Sequence, residues 1–192
     1  MIKHLLTSLA LLICTIVLFA CSKPAFQGSD LSDTTIGGEF ELLDHHGQKR
    51  TLADYRGKIV VLFFGYTSCP DVCPTTLSEL RGVINDLGEQ AKEVQVLFIS
   101  VDPERDNPAL LGQYVPAFHP GFIGLTGSKA QIDAAAKNYR AIYQKQGKDK
   151  SYTVDHTAGS YLIDRAGKTR VMISYGAGAA TFTHDIQLLL AE

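Results

Sequence analysis

From residue 36 onward the chain alternates apolar runs with amphipathic stretches, and the period of each run predicts its element. Ile59-Val60-Val61-Leu62-Phe63-Phe64 is continuously apolar and β-branched or aromatic, which predicts a strand covered on both faces at the centre of a sheet. Leu77, Leu80, Ile84 and Leu87 then recur at helical spacing with Gly88 behind them, which predicts a helix over 74–87. A strand over 94–101, a polar loop over 102–107, a helix over 108–115 and a short strand over 122–125 follow. Ser128 caps a further helix carrying Ile132, Ala135, Ala136 and Tyr139 inward. Strands alternating with helices in this way define an α/β sheet.

The two ends of this unit read as hairpins. Residues 39–43 and 49–51 are short extended runs joined by the turn Asp44-His45-His46-Gly47, and residues 160–164 and 169–174 are joined by Arg165-Ala166-Gly167. Between the last two helices, residues 144–151 read as a polar surface crossing. Gly176-Ala177-Gly178-Ala179-Ala180 reads as a loop, so Thr183 or His184 opens the last helix, with Ile186, Leu189 and Leu190 facing inward.

The pattern ahead of residue 36 is different. Lys3 and His4 precede an apolar stretch ending in Leu18-Phe19-Ala20-Cys21-Ser22, the form of an export signal over 1–20 with a lipobox, in which Cys21 would carry a lipid and become the first mature residue. Residues 21–35 hold few large apolar side chains and read as a flexible tether, leaving 36–192 as one domain outside the cytoplasm, facing the periplasm or its equivalent. The formal net charge of −2 excludes a basic nucleic-acid-binding protein.

Of the four cysteines, Cys14 falls in the leader and Cys21 at its end, so Cys69 and Cys73 alone remain in the domain. One close pair is not a disulfide framework. The pair stands in Gly65-Tyr66-Thr67-Ser68-Cys69-Pro70-Asp71-Val72-Cys73-Pro74, at the junction of the central strand with its helix. CxxxC is one residue longer than the redox CxxC, which leaves room for an ion between the sulfurs without forbidding a disulfide. Pro74 is welcome at a first helical position, which makes Cys73 the cap beside the positive end of the helix dipole, where thiolate is favoured. His156 lies far downstream in Val154-Asp155-His156-Thr157, and two thiols with one imidazole are a soft-metal ligand set. A lone histidine is also commonly structural, so metal binding and dithiol redox chemistry both remain open at this point.

Three segments in order carry a resemblance to a known family. The loop 65–74 just quoted, Ser100-Val101-Asp102-Pro103-Glu104-Arg105-Asp106, and Asp155-His156-Thr157 resemble the signatures of the SCO/SenC family of thioredoxin-like copper proteins that serve cytochrome c oxidase assembly, and the likeness runs over essentially all of 37–192. It implies a thioredoxin-like fold, a central mixed β-sheet flanked by helices with an N-terminal β-hairpin. It also implies copper ligands Cys69, Cys73 and His156, with His156 standing where thioredoxin-like proteins often keep a cis-proline. Two thiolates and a nitrogen suit Cu(I), and the imidazole helps tolerate Cu(II).

Around that set, Asp71 and Asp155 are candidates to orient the ligands from outside. Asp102, Arg105 and Asp106 form either a partner-docking loop or a local ion-pair and capping cluster. Tyr66 packs beside the loop, and His45, His46, His119 and His184 are read as solvated. The resemblance implies a metallochaperone rather than an enzyme: a membrane-anchored protein that takes copper from an upstream donor and hands it to the copper-bearing subunit of cytochrome c oxidase. The competing reading is a thiol-disulfide oxidoreductase, served by an upstream thiol reductant, that reduces the oxidase cysteines through the same two sulfurs. A peroxidase needs an activating arginine, and nothing in the sequence places Arg81 or Arg105 for that role.

Overall fold

The computed structural model describes residues 25–147 and 151–192. The expected leader with Cys14, and Cys21 as the expected lipid site, lie outside the described residues. Ten strands and four α-helices follow in chain order: β1 (Ser29–Asp30), β2 (Glu41–Asp44), β3 (Lys49–Thr51), β4 (Ile59–Gly65), α1 (Val72–Leu87), β5 (Val94–Ser100), α2 (Pro108–Tyr114), β6 (Ile123–Thr126), α3 (Lys129–Asn138), β7 (Tyr143–Gln146), β8 (Thr153–His156), β9 (Gly159–Ile163), β10 (Thr169–Ser174) and α4 (Ala179–Leu190).

Eight strands form one mixed sheet in the order β1-β10-β9-β4-β5-β6-β2-β3, and β7 and β8 pair separately. β4 runs parallel to β5 through α1 and antiparallel to β9, which returns as β10 into α4. A βαβ unit joined to a ββα unit around a shared central strand is the thioredoxin-like core. As expected, β4 is buried along its whole length. Ile59, Val61 and Phe63 enter one core with α1 and α4, while Val60, Leu62 and Phe64 enter the other with α3 and the N-terminal hairpin. Each such side chain contributes about 1.5 to 3 kcal/mol on burial, which is why an uninterrupted apolar run is found only at a sheet's centre.

Four expectations are corrected. First, part of the expected tether over 21–35 is docked: Ser29 and Asp30 pair with Met172 and Val171 of β10, and the buried carboxylate of Asp185 accepts the amides of Gln27 and Gly28, both at 2.8 Å. Second, α1 opens at Val72, not Pro74, because no residue of a helix's first turn has an intrahelical acceptor for its N–H and a proline there forfeits nothing. Third, residues 143–146 are not a featureless crossing but β7, paired with β8 in register Tyr143 to His156. Fourth, α4 begins at Ala179, four or five residues before the expected start at Thr183 or His184. Gly178 takes a φ of 90° at its N-cap, and the two alanines behind it are strong helix formers.

Candidate metal centre

β4 delivers the backbone to Gly65, and the chain then turns through 66–71 into α1. The Cys69 amide donates to the Tyr66 carbonyl at 3.2 Å, closing the turn and presenting a partly exposed Cys69 thiol. Cys73 sits in the first turn of α1, wholly buried. Gly65 is required beneath it. A Cβ at that position would lie 2.7 Å from the Cys73 Sγ and 2.7 Å from the Phe98 ring, with both neighbours set by packed elements. Gly65→Ala is expected to cost about 1 to 3 kcal/mol of stability by overpacking and to weaken metal binding with it. Urea unfolding and a metal titration on one preparation check both effects.

His156 ends β8 and completes the group. Its Nε2 stands 3.6 Å from the Cys73 Sγ, and its Nδ1 lies 3.1 Å from the Thr157 carbonyl. A carbonyl only accepts, so Nδ1 carries the proton and Nε2 turns its lone pair toward the sulfurs. Burial holds the imidazole below its ordinary pKa and therefore neutral, the form that ligates. The two Sγ atoms and the histidine nitrogen all lie within 4.8 Å of one another. An ion bound at about 2.0 to 2.3 Å per ligand would hold three ligands roughly 3.5 to 4 Å apart, so the group would contract modestly to close on a metal.

The thiols do not behave as the helix dipole alone suggests. Burial pushes the Cys73 thiol well up from its ordinary value, and the neighbouring Cys69 raises it further. The expectation of a ready thiolate at Cys73 is thereby corrected: its wholly desolvated position outweighs the dipole. The thiolate would form if a cation took the proton's place, which would couple metal uptake to proton release.

Asp106 fixes the loop. Its buried carboxylate accepts the Thr67 amide at 2.9 Å, the Thr67 hydroxyl at 2.6 Å and the Ser100 hydroxyl at 2.6 Å, tying the cysteine loop to the end of β5. Asp102 is also buried and ion-paired to Arg105, so of the two readings for this cluster the local structural one holds for both aspartates. The capping falls to the next residue, Asn107, whose side chain accepts the Leu110 amide. Tyr66 packs beside the loop as expected, with its ring edge-on to His156 at 6.0 Å between centroids.

Neither flanking aspartate reaches a ligand. Asp71 lies 3.4 Å from the Thr75 hydroxyl, and Asp155 accepts from Gln146 at 2.8 Å. Successive residues of a strand face opposite ways, which turns Asp155 from the side His156 occupies. The Thr157 carbonyl orients the imidazole instead. Of the other histidines, His46 is exposed as expected, while three are not simply solvated. The His45 Nδ1 accepts the Gly124 amide, that of His119 accepts the Gly121 amide, and His184 lies against Asp185; all stand outside the metal-ligand group. Gly65 and Asp106 were missed as site residues, although each lies inside a quoted signature.

Fold and site together define a thioredoxin-like protein in which a CxxxC loop and a histidine form a group able to bind a metal. The SCO1/SenC family model matches residues 28–191. The chain belongs to that family. It is 46% identical over 134 residues to mouse "Protein SCO2 homolog, mitochondrial", covering 68% of this chain and 52% of that protein, so it spans about half the length of that curated relative. Among solved structures, copper-bound ScoI of Bradyrhizobium japonicum is similar at 41% identity and a TM-score of 0.74, covering 80% of this chain and 99% of that one. Apo Sco1 of Thermus thermophilus is similar at 36% identity and a TM-score of 0.78, covering 88% and 99%. Among the described residues no helix is long and apolar enough to cross a membrane.

Proposed function

We propose that this protein is a copper metallochaperone that binds Cu(I) through Cys69, Cys73 and His156 and passes it to the dinuclear copper centre of cytochrome c oxidase during assembly. The observation that carries the reading is the convergence of the three ligand atoms from two distant parts of the chain within 4.8 Å. A structural dithiol has no use for a neutral imidazole aimed at its buried sulfur. The partly exposed Cys69 is the ligand an incoming partner thiolate reaches first, while Cys73 and His156 hold the ion from the interior side. Export and a lipid on Cys21 would place the domain at a membrane surface outside the cytoplasm, where the copper-bearing oxidase subunit stands as recipient and an upstream donor supplies the metal.

His156→Ala is expected to weaken Cu(I) binding by more than the roughly 10- to 100-fold that losing an outer partner costs, while Cys69 and Cys73 still form a disulfide reversibly. Titration of Cu(I) into the reduced protein, with and without the change, reads the first effect. Thiol counting over an oxidation cycle reads the second. Tight stoichiometric binding that survives the substitution would remove His156 from the site.

A thiol-disulfide oxidoreductase is the second reading, favoured by one observation: Cys69 is partly exposed and Cys73 buried within reach of it, the disposition of an attacking and a resolving thiol. Failure of the wild-type protein to bind Cu(I) would favour it.

A further inference from the structure

His156 is carried on a strand that the main sheet does not hold. Among the described residues β7 and β8 pair with each other and not with the main sheet, which the chain rejoins at Gly159 after the Ala158 carbonyl accepts the Tyr175 amide, so side chains around the hairpin help decide where the imidazole stands. Tyr152, immediately before β8, is the most heavily engaged of them. Its hydroxyl donates to the buried Asp102 carboxylate at 2.5 Å, and its carbonyl accepts from the Arg105 Nη1 at 3.0 Å. Its ring is flanked by the Arg105 guanidinium at 3.7 Å and the Lys145 ammonium at 3.8 Å from the centroid. Arg105 in turn is ion-paired to Asp102 and lies 5.7 Å from the Tyr66 ring, which stands edge-on to His156. Lys145 is tied back to Glu104 at 2.7 Å. The loop after β5 thus grips the hairpin through backbone, hydroxyl and ring at one residue.

We infer that Arg105 is a positioning residue for the third metal ligand: with Asp102 it clamps Tyr152, and that clamp sets how much of the time His156 faces Cys69 and Cys73. Arg105 touches no ligand atom and acts through the strand that bears one. A guanidinium suits the task because a single planar group meets a carboxylate, a carbonyl and an aromatic face at once, which a lysine cannot do. The inference rests on the copper-site reading above for its effect on binding, but the clamp itself is a property of the metal-free protein.

Two measurements test it on the full chain. In the metal-free protein, Arg105→Leu is expected to speed amide exchange across 143–146 and 153–156 by about tenfold or more while leaving β4 and β5 unchanged. The same change is expected to weaken Cu(I) binding by about tenfold in the wild-type background and to have no further effect once His156 is alanine, since there is then no ligand to misplace. Tyr152→Phe, which keeps the ring and removes only the bond to Asp102, should shift both readouts in the same direction by less, and it carries the test should Arg105→Leu fail to fold. Unchanged hairpin exchange overturns the proposal, as does an equal loss of affinity with and without His156. A wild-type protein that does not bind Cu(I) would sink the copper reading while leaving the exchange result to decide the clamp.

Discussion

Replacing Cys73 by serine is expected to abolish stoichiometric Cu(I) binding, lowering affinity by about three orders of magnitude or more, because a hard hydroxyl replaces a soft thiolate at the ligand shared between the other two. The position is wholly buried, so water cannot serve in its place, and the backbone at Gly65 lies so close that a Cβ there would meet the sulfur at 2.7 Å. The fold should survive, since serine is close to cysteine in size and one side chain in the first turn of α1 is a small part of the core it joins. Competition against a Cu(I) chelator measures the loss, and thermal unfolding of the same sample verifies that the domain is intact. Affinity equal to wild type would exclude Cys73 as a ligand.

Asp106→Ala is expected to cost about 3 kcal/mol of stability, among the largest effects of any single change at the site, because the Thr67 amide and the Thr67 and Ser100 hydroxyls lose a charged acceptor in the interior. For a chain of this size that corresponds to a fall in Tm of roughly 6 to 12 °C. Metal affinity should fall as well, since the freed segment is the one that carries Cys69. Chemical denaturation reads the first effect, and a loss below about 1 kcal/mol would mean that the three bonds are replaced by water at little cost. Asp106→Asn should fall between the two, because its amide oxygen accepts part of the set while its NH2 faces donors.

Much of this architecture was legible in the order of residues. β4 could be read from one apolar run because both of its faces are covered, and Leu77, Leu80, Ile84 and Leu87 all turn inward as their spacing requires. The three proposed ligands were legible through the resemblance, with the local chemistry of CxxxC pointing the same way. The elements that escaped are those whose cause lies elsewhere in the chain. Tyr143-Gln144-Lys145-Gln146 has no buried face to impose a period, and it is a strand only because β8 pairs with it. The docking of residues 27–30 depends on backbone amides meeting Asp185 more than 150 residues away, a contact that leaves no mark in their side chains. Cys73 was expected to ionise readily because its place in the helix is local information, whereas the burial that opposes ionisation is tertiary.

The short strand β1 covers one margin of the main sheet, next to β10. β10 is rich in large apolar side chains, Val171, Met172 and Ile173 in succession, and without a neighbour its outer backbone would be an open template for pairing with another molecule. Ser29 and Asp30 occupy part of that template, and two residues carrying a carboxylate are too short and too polar to recruit a further strand themselves. Asp185, by holding Gln27 and Gly28 just ahead of β1, keeps that stretch of the β10 edge paired within its own chain.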